Sequence, residues 1–409
     1  MKSFFVSLFL TIIVSAENYK LEASLDMFIN LPNAYDITPA SLEKSFKKGT
    51  FSKNPYFSWL NEEKSRAIFK KNSATNVFVD LTILEKSLKV DELVIDFEDG
   101  LFKGCTISIF NKADSGELSG REFDRRTLAV GKHISKQLSS RARRRTEKKS
   151  KGILTSGYTW KSPRGIAALE YNEGAQNGQA GFVRLRLAKV DAGGIYAAAL
   201  KDRSTATIGR STLKQLVTKQ GSEVIIENIP MVDQGSKRYC LVASVQRLFE
   251  YYGISCDMYQ LAEIAGSDPR TGTDTKEANR QLGKIDHLFK TRFTCYAVGD
   301  DKNGLTEPTN GDYIGDPIPQ KDFEKEITRS IDKGLPLVWS LTVGKYKETP
   351  PLQEQQSGGH SRLIIGYDLE KRLLYFTDSW GLGHAKKFMR LDDAYQCTTG
   401  LFSIVPKAD

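Results

Sequence analysis

One segment, Gln234-Gly-Ser-Lys-Arg-Tyr239-Cys240-Leu-Val-Ala-Ser244, constrains this chain more than any other. It sets a glutamine six residues before a cysteine that opens an amphipathic run. Apolar residues recur at 241, 242, 245, 248, 249 and 252, and Gly253 stands where a helix C-terminus favours positive φ, so the pattern predicts a helix with Cys240 in its first turn. There the unpaired backbone N–H groups and the positive end of the helix dipole favour thiolate over thiol. Downstream, Gly358-Gly359-His360 leads into the apolar strand Leu363–Tyr367, and Asp378-Ser379-Trp380-Gly381 follows the next strand. A histidine that takes the thiol proton primes the nucleophile and later reprotonates a leaving amine; His360 is the candidate. An acceptor on its far nitrogen fixes tautomer and ring orientation, which assigns Asp378. Gln234 can aim a side-chain N–H at an oxyanion beside the backbone N–H of Cys240.

Each residue also has a plainer explanation. A lone cysteine at a helix start is usually a small buried hydrophobe, a lone histidine a satisfied structural one, and Asp378 a turn residue at a strand end. The four together, in this order, outweigh those separate readings. His384, in a glycine-rich turn, is the rival to His360 among four histidines. Trp380 is expected to shield the His360–Asp378 hydrogen bond from water, with Gly359 supporting the histidine strand.

On these residues the chain resembles papain-like cysteine peptidases, and within them the bacteriocin-leader-processing (double-glycine) peptidases. The string Asp378-Ser379-Trp380-Gly381 looks like the papain family's Asn-Ser-Trp-Gly, with aspartate in the place of asparagine as in the leader-processing relatives. The resemblance spans about residues 226 to 409. It implies a Cys-His-Asp triad and a covalent thioester; no cofactor is expected. It also implies a two-lobed α+β domain, with the thiol on a helical lobe, the histidine and aspartate on an antiparallel sheet, and a peptide or protein substrate in the cleft between.

The chain begins Met1-Lys2, continues in an apolar stretch from Phe4 to Val14 and reaches Val14-Ser15-Ala16, which reads as a signal peptide over 1–16 and a secreted or periplasmic protein. That stretch is shorter than the roughly 20 residues a membrane span needs, and no later segment is apolar enough for one. An odd count of five cysteines leaves Cys240 as the unpaired thiol if Cys105, Cys256, Cys295 and Cys397 bridge, and the alternative is that none is bridged. No metal-ligand spacing is present.

Charge divides the chain. Residues 226–409 carry 23 Lys and Arg against 26 Asp and Glu, net −3, whereas residues 1–225 carry 36 against 24, net +12. The basic excess peaks at Arg141–Lys151, read as a solvated loop, with an anion-binding patch or a processing site as alternatives. Nucleic acid is disfavoured because no aromatic residues interleave the run. The expected organisation is a 17–221 N-terminal α+β domain followed by the peptidase over 222–409. Opposite charges predict that the first part docks on the second, either occluding the cleft as a propeptide would or presenting substrate to it.

In the first part, Thr38-Pro39 predicts a helix start, Leu60–Lys71 and Arg126–Arg141 read as helices, and strands are expected over 75–82, 92–97, 104–110, 165–171 and 181–190. A helix over 207–219, ended by Gly221, should bridge to the second part. There helices are expected over 258–265 and 275–288, a surface loop over 300–320, and strands over 292–298, 336–343, 362–368, 373–378 and 401–405. The function expected is peptide-bond hydrolysis by a secreted cysteine peptidase. The alternatives are transglutaminase-like or amidase acyl transfer on the same triad, and a non-enzymatic binding protein that uses the basic half.

Overall fold

The computed structural model describes residues 19–74, 77–273, 283, 285–300, 304–308, 315–352 and 357–407. The signal segment, most of the expected 275–288 helix and much of the 300–320 loop lie outside the described residues. Helices and strands are mixed in both halves, as expected for an α+β chain, and the strands form three sheets.

The largest sheet of the first half has eight strands. Its spatial order is Phe57–Trp59, Arg66–Lys70, Glu92–Glu98, Leu101–Asn111, Phe182–Ala188, Gly165–Tyr171, Ser156–Ser162 and Arg143–Arg145. A smaller sheet pairs Tyr19–Ser24 in parallel with Val77–Ile83. The Gly120–Leu138 helix presents Phe123, Val130, Ile134 and Leu138 to the core these sheets share. Thr38 and Ser41 close a reciprocal capping box at the Pro39–Ser45 helix, as Thr38-Pro39 predicts.

Three expectations for this half are corrected. Leu60–Lys71 is no helix: Arg66–Lys70 is an inner strand between Phe57–Trp59 and Glu92–Glu98. Its helix-like charge spacing misleads because Arg66 is buried, with its guanidinium answered by Asp96 at 3.4 Å and Glu250 at 2.5 Å. The helix over 207–219 covers only Arg210–Gln215; Val217–Gln220 then turns back on Glu223–Ile226 as a hairpin, with Gly221 as its positive-φ turn residue. β-Branched Val217 and Thr218 favour that strand, and the 221/222 boundary falls inside the hairpin. The basic stretch 141–151 is not simply a loop. Arg143–Arg145 is an edge strand, and Arg145 is buried against Glu170 at 2.5 Å and Thr155 at 2.8 Å.

The nine-stranded sheet of the second half is antiparallel, running Val217–Gln220, Glu223–Ile226, Gly358–Asp368, Leu337–Val343, Thr398–Pro406, Thr291–Asp300 and Gly304–Thr306. Leu373–Thr377 pairs with Gly358–Asp368, and Lys387–Arg390 with Leu373–Thr377. The Cys240–Tyr251 helix packs on this sheet through Leu241, Val245, Leu248 and Phe249 and ends before Gly253, whose φ is 69°. The Met258–Ala265 helix is N-capped by Asp257. All five cysteines are free thiols, so Cys105, Cys256, Cys295 and Cys397 form no bridges.

Candidate active site

Cys240 is the first residue of its helix, and the sheet supplies the rest of the site. Ser244, one turn on, donates its hydroxyl to the Ser361 carbonyl at 3.1 Å and so ties the thiol-bearing helix to the strand that holds His360. Leu363 pairs with Thr377 across the neighbouring ladder. Past the end of that ladder Trp380 bridges to Asp233, and its ring stacks on His360 with centroids 4.2 Å apart. Asp378, just past the strand, meets His360 Nε2 with Oδ1 at 2.7 Å. The other ring nitrogen is thereby left for the Cys240 thiol, which lines the same cavity as His360.

Burial alone would raise the Cys240 thiol. The hydrogen bond and charge of His360, helped by the backbone at Ser361 and Leu241, instead pull it below its ordinary value. Burial would lower His360, but the Asp378 charge and hydrogen bond, followed by those of Cys240, push it up to about 9. Opposed shifts of this kind favour a thiolate–imidazolium pair. Asp378 is fully buried, which would raise its carboxyl; His360 and Arg362 hold it well below the usual carboxylate range.

Gln234 is buried beside the helix start. Its Nε2 donates to the Lys237 carbonyl at 2.9 Å, and its Oε1 accepts from the Ser379 hydroxyl at 2.7 Å. With the carbonyl end occupied, one N–H of the amide remains to face the cavity that Gln234 lines with Cys240, His360 and Trp380. That cavity measures about 860 Å³. Gly358 and Gly359 also line it, and a Cβ at either would meet nothing within 4 Å, so their missing side chains leave the approach to His360 open. His384 lies at the far edge of Trp380, edge-on with centroids 5.6 Å apart, and its main-chain carbonyl accepts from the Asp378 N–H at 2.9 Å. It borders the site but makes no ring contact with Asp378.

Sequence reasoning missed three supports. Arg362, two residues after His360, is fully buried; its Nε forms an ion pair with Asp378 Oδ2 at 2.7 Å, and its Nη1 meets Glu348 at 2.7 Å. Lys387 pairs with the same Glu348. Arg247, on the Cys240 helix, donates to the Asp378 carbonyl at 2.7 Å and to Thr377 Oγ1 at 2.6 Å. Ser379 was legible as a letter of the Asp-Ser-Trp-Gly string, but its grip on Gln234 was not. The alternation of the 358–368 strand puts Arg362 on the same face as His360, which was the available signal.

Among the described residues no group of histidines, cysteines and carboxylates is arranged to hold a metal ion, and no helix is long and apolar enough to cross a membrane. No curated protein matches the chain. Among solved structures, xylellain, a cysteine protease from Xylella fastidiosa, is matched at 16% identity with a TM-score of 0.28, over 50% of this chain and 92% of that one. Residues 226–400 match the model of the Peptidase_C39 like family. That span holds Cys240, His360 and Asp378, and its match supports a papain-like cysteine peptidase there.

Proposed function

We propose that this is an exported peptidase that hydrolyses peptide bonds through a thioester on Cys240, with His360 and Asp378 completing the triad and Gln234 donating to the oxyanion. The observation that carries the reading is His360 bonded to the Asp378 carboxylate in the cavity it shares with Cys240, whose thiol it draws below its ordinary value. The thiolate attacks the peptide carbonyl carbon, and the oxygen takes up charge facing the amide of Gln234 and the backbone N–H of Cys240. His360, carrying the thiol's proton, gives it to the departing amine as the C–N bond breaks. It then takes a proton from water, which attacks the thioester, releases the acid and restores the thiol.

Water rather than an amine as the acyl acceptor separates this reading from transglutaminase-like transfer. Incubating the full chain with a polypeptide substrate and a primary amine, then weighing the products, tests it: acid products predominate under hydrolysis, amine adducts under transfer. Export rests on Lys2, the apolar stretch to Val14 and the small residues before Glu17; N-terminal sequencing of the mature protein should begin at Glu17.

For the first half, presentation of substrate is favoured over occlusion of the cleft. Among the described residues, those lining the 860 Å³ cavity run from Gln234 to Thr399, with none from the first half. A neighbouring cavity of about 980 Å³ lies between Lys112–Glu117 of the first half and Ser236–Arg238 of the second, and shares those last three residues with the catalytic one. A polypeptide in the cleft therefore has a path toward the first half. Within the basic stretch, Arg143 pairs with Asp202 and the buried Arg145 with Glu170.

A further inference from the structure

The short loop Asp233–Lys237, which carries Gln234, is gripped at both ends by the first half of the chain. Lys70 Nζ lies 2.6 Å from Asp233 Oδ2, and Asp114 Oδ1 lies 3.0 Å from Lys237 Nζ. Both lysine side chains are mostly buried, 15% and 10% exposed, so these pairs are far less screened than ordinary surface pairs. Each grip continues into the loop backbone. Asp233 Oδ1 accepts the Gly235 N–H at 2.9 Å, closing a turn in which Gly235 takes a φ of 65°. The Lys237 carbonyl accepts the Gln234 amide at 2.9 Å.

The gripping residues sit on rigid supports. Lys70 ends the inner Arg66–Lys70 strand, and Asp114 is fixed by Asn111 Nδ2 at 2.9 Å and touched by the Tyr259 hydroxyl at 3.5 Å. The carboxyl of Glu92, which accepts from Tyr259 at 3.1 Å, is buried and attracts both Lys70 and Lys237. The second half fastens the same loop through Ser379, whose carbonyl accepts the Gln234 N–H at 2.9 Å and whose hydroxyl reaches Oε1.

We infer that the first half is a positioning module for the oxyanion donor: Lys70 and Asp114 hold the 233–237 loop so that the Gln234 amide is set before substrate arrives. This rests on the proposed thioester reading and adds to it a role for the first half in the chemical step itself. A donor works only if it is fixed in advance where charge develops, and a misplacement of roughly 1 Å costs on the order of a hundredfold. Lys70 and Asp114 act through the loop and are positioning residues, not catalytic ones.

The test uses the full-length chain, a short peptide substrate and the variants Lys70→Met, Asp114→Asn and their combination, each also made in a Gln234→Ala background. The expected result is a kcat lower by about tenfold or more for the combined variant, by the same reasoning on donor placement, with KM little changed. Lys70→Arg, which keeps the charge, should restore most of it. In the Gln234→Ala background the same changes should cost nothing further, because residues acting through one donor are not additive. The rate of Cys240 alkylation by iodoacetamide, which develops no oxyanion, should stay at the wild-type value. Unchanged kcat in the combined variant, or an equal loss with and without Gln234, would overturn the inference. Absence of hydrolysis by the wild-type chain would instead overturn the thioester reading.

Discussion

Arg362 Nε lies 2.7 Å from Asp378 Oδ2, and neither side chain has solvent exposure. The two oxygens of Asp378 therefore have separate duties: Oδ1 serves His360 and the Ser379 N–H, and Oδ2 serves Arg362. The guanidinium is itself fixed by Glu348 and lies over the Phe376 ring at 4.6 Å. An asparagine at 378 could offer one acceptor only, and its amide would meet the Arg362 donors. This gives a local reason for aspartate in a place where papain-like enzymes carry asparagine.

From sequence, Asp378→Asn should keep measurable activity, because an amide oxygen accepts the imidazole N–H. With Arg362 behind it, the expectation is stricter: kcat falls on the order of a hundredfold, the size of a misplaced catalytic group. Arg362→Met strands the Asp378 and Glu348 charges in the interior and should destabilise the fold by about 3–5 kcal/mol. Chemical denaturation with parallel kinetics checks both. Near-wild-type turnover in Asp378→Asn would mean that Arg362 does not constrain the acceptor.

Much of this site was readable in advance, and the reason is local. The helix phase from Cys240, the Gly-His strand and the Asp-Ser-Trp-Gly string each lie within one element, where spacing alone fixes which face a side chain takes. Arg362, Arg66 and Arg145 were not readable as buried groups. The carboxylates that answer them, Glu348, Glu250 and Glu170, stand in other elements, and for Arg66 and Glu250 in the other half of the chain. Charge is taken as a sign of solvent until its partner is known. Arg66 among the charges of Leu60–Lys71 thus suggested a helix face where the chain builds an inner strand.

Two histidines flank Trp380, and they should behave differently. His360→Ala removes the proton carrier and should lower kcat by at least about a hundredfold, the usual scale of general acid–base catalysis. His384→Ala keeps the main-chain carbonyl that accepts from Asp378 and should leave most of the activity. A larger loss from His384→Ala, measured with the same peptide, would transfer the proton-carrying role to that residue.

The pH profile of kcat/KM should be bell-shaped. Its acid limb reports formation of the thiolate, below the thiol's ordinary value of 9.0. Its alkaline limb reports loss of the His360 proton near about pH 9. Because His360 is raised in the folded state, its contribution to stability is present below its ordinary 6.5 and is lost as pH rises through about 9. Asp378→Ala removes the charge that raises His360 and should move the alkaline limb to lower pH.

Cys240→Ala should abolish turnover while leaving the melting temperature close to wild type, since it removes only a half-buried sulfur. Circular dichroism and an activity assay on one preparation separate the two effects.

The most direct measurement is labelling of the full chain with an irreversible thiol-directed epoxide, followed by digestion and mass mapping. Burial raises the thiols of Cys105 and Cys256, and pushes Cys295 and Cys397 up to about 12, leaving them unreactive, while Cys240 alone is drawn toward thiolate. The account predicts one label per chain, on Cys240, with peptide hydrolysis lost in proportion to labelling. A label on any other cysteine, or hydrolysis that survives full modification of Cys240, would contradict it.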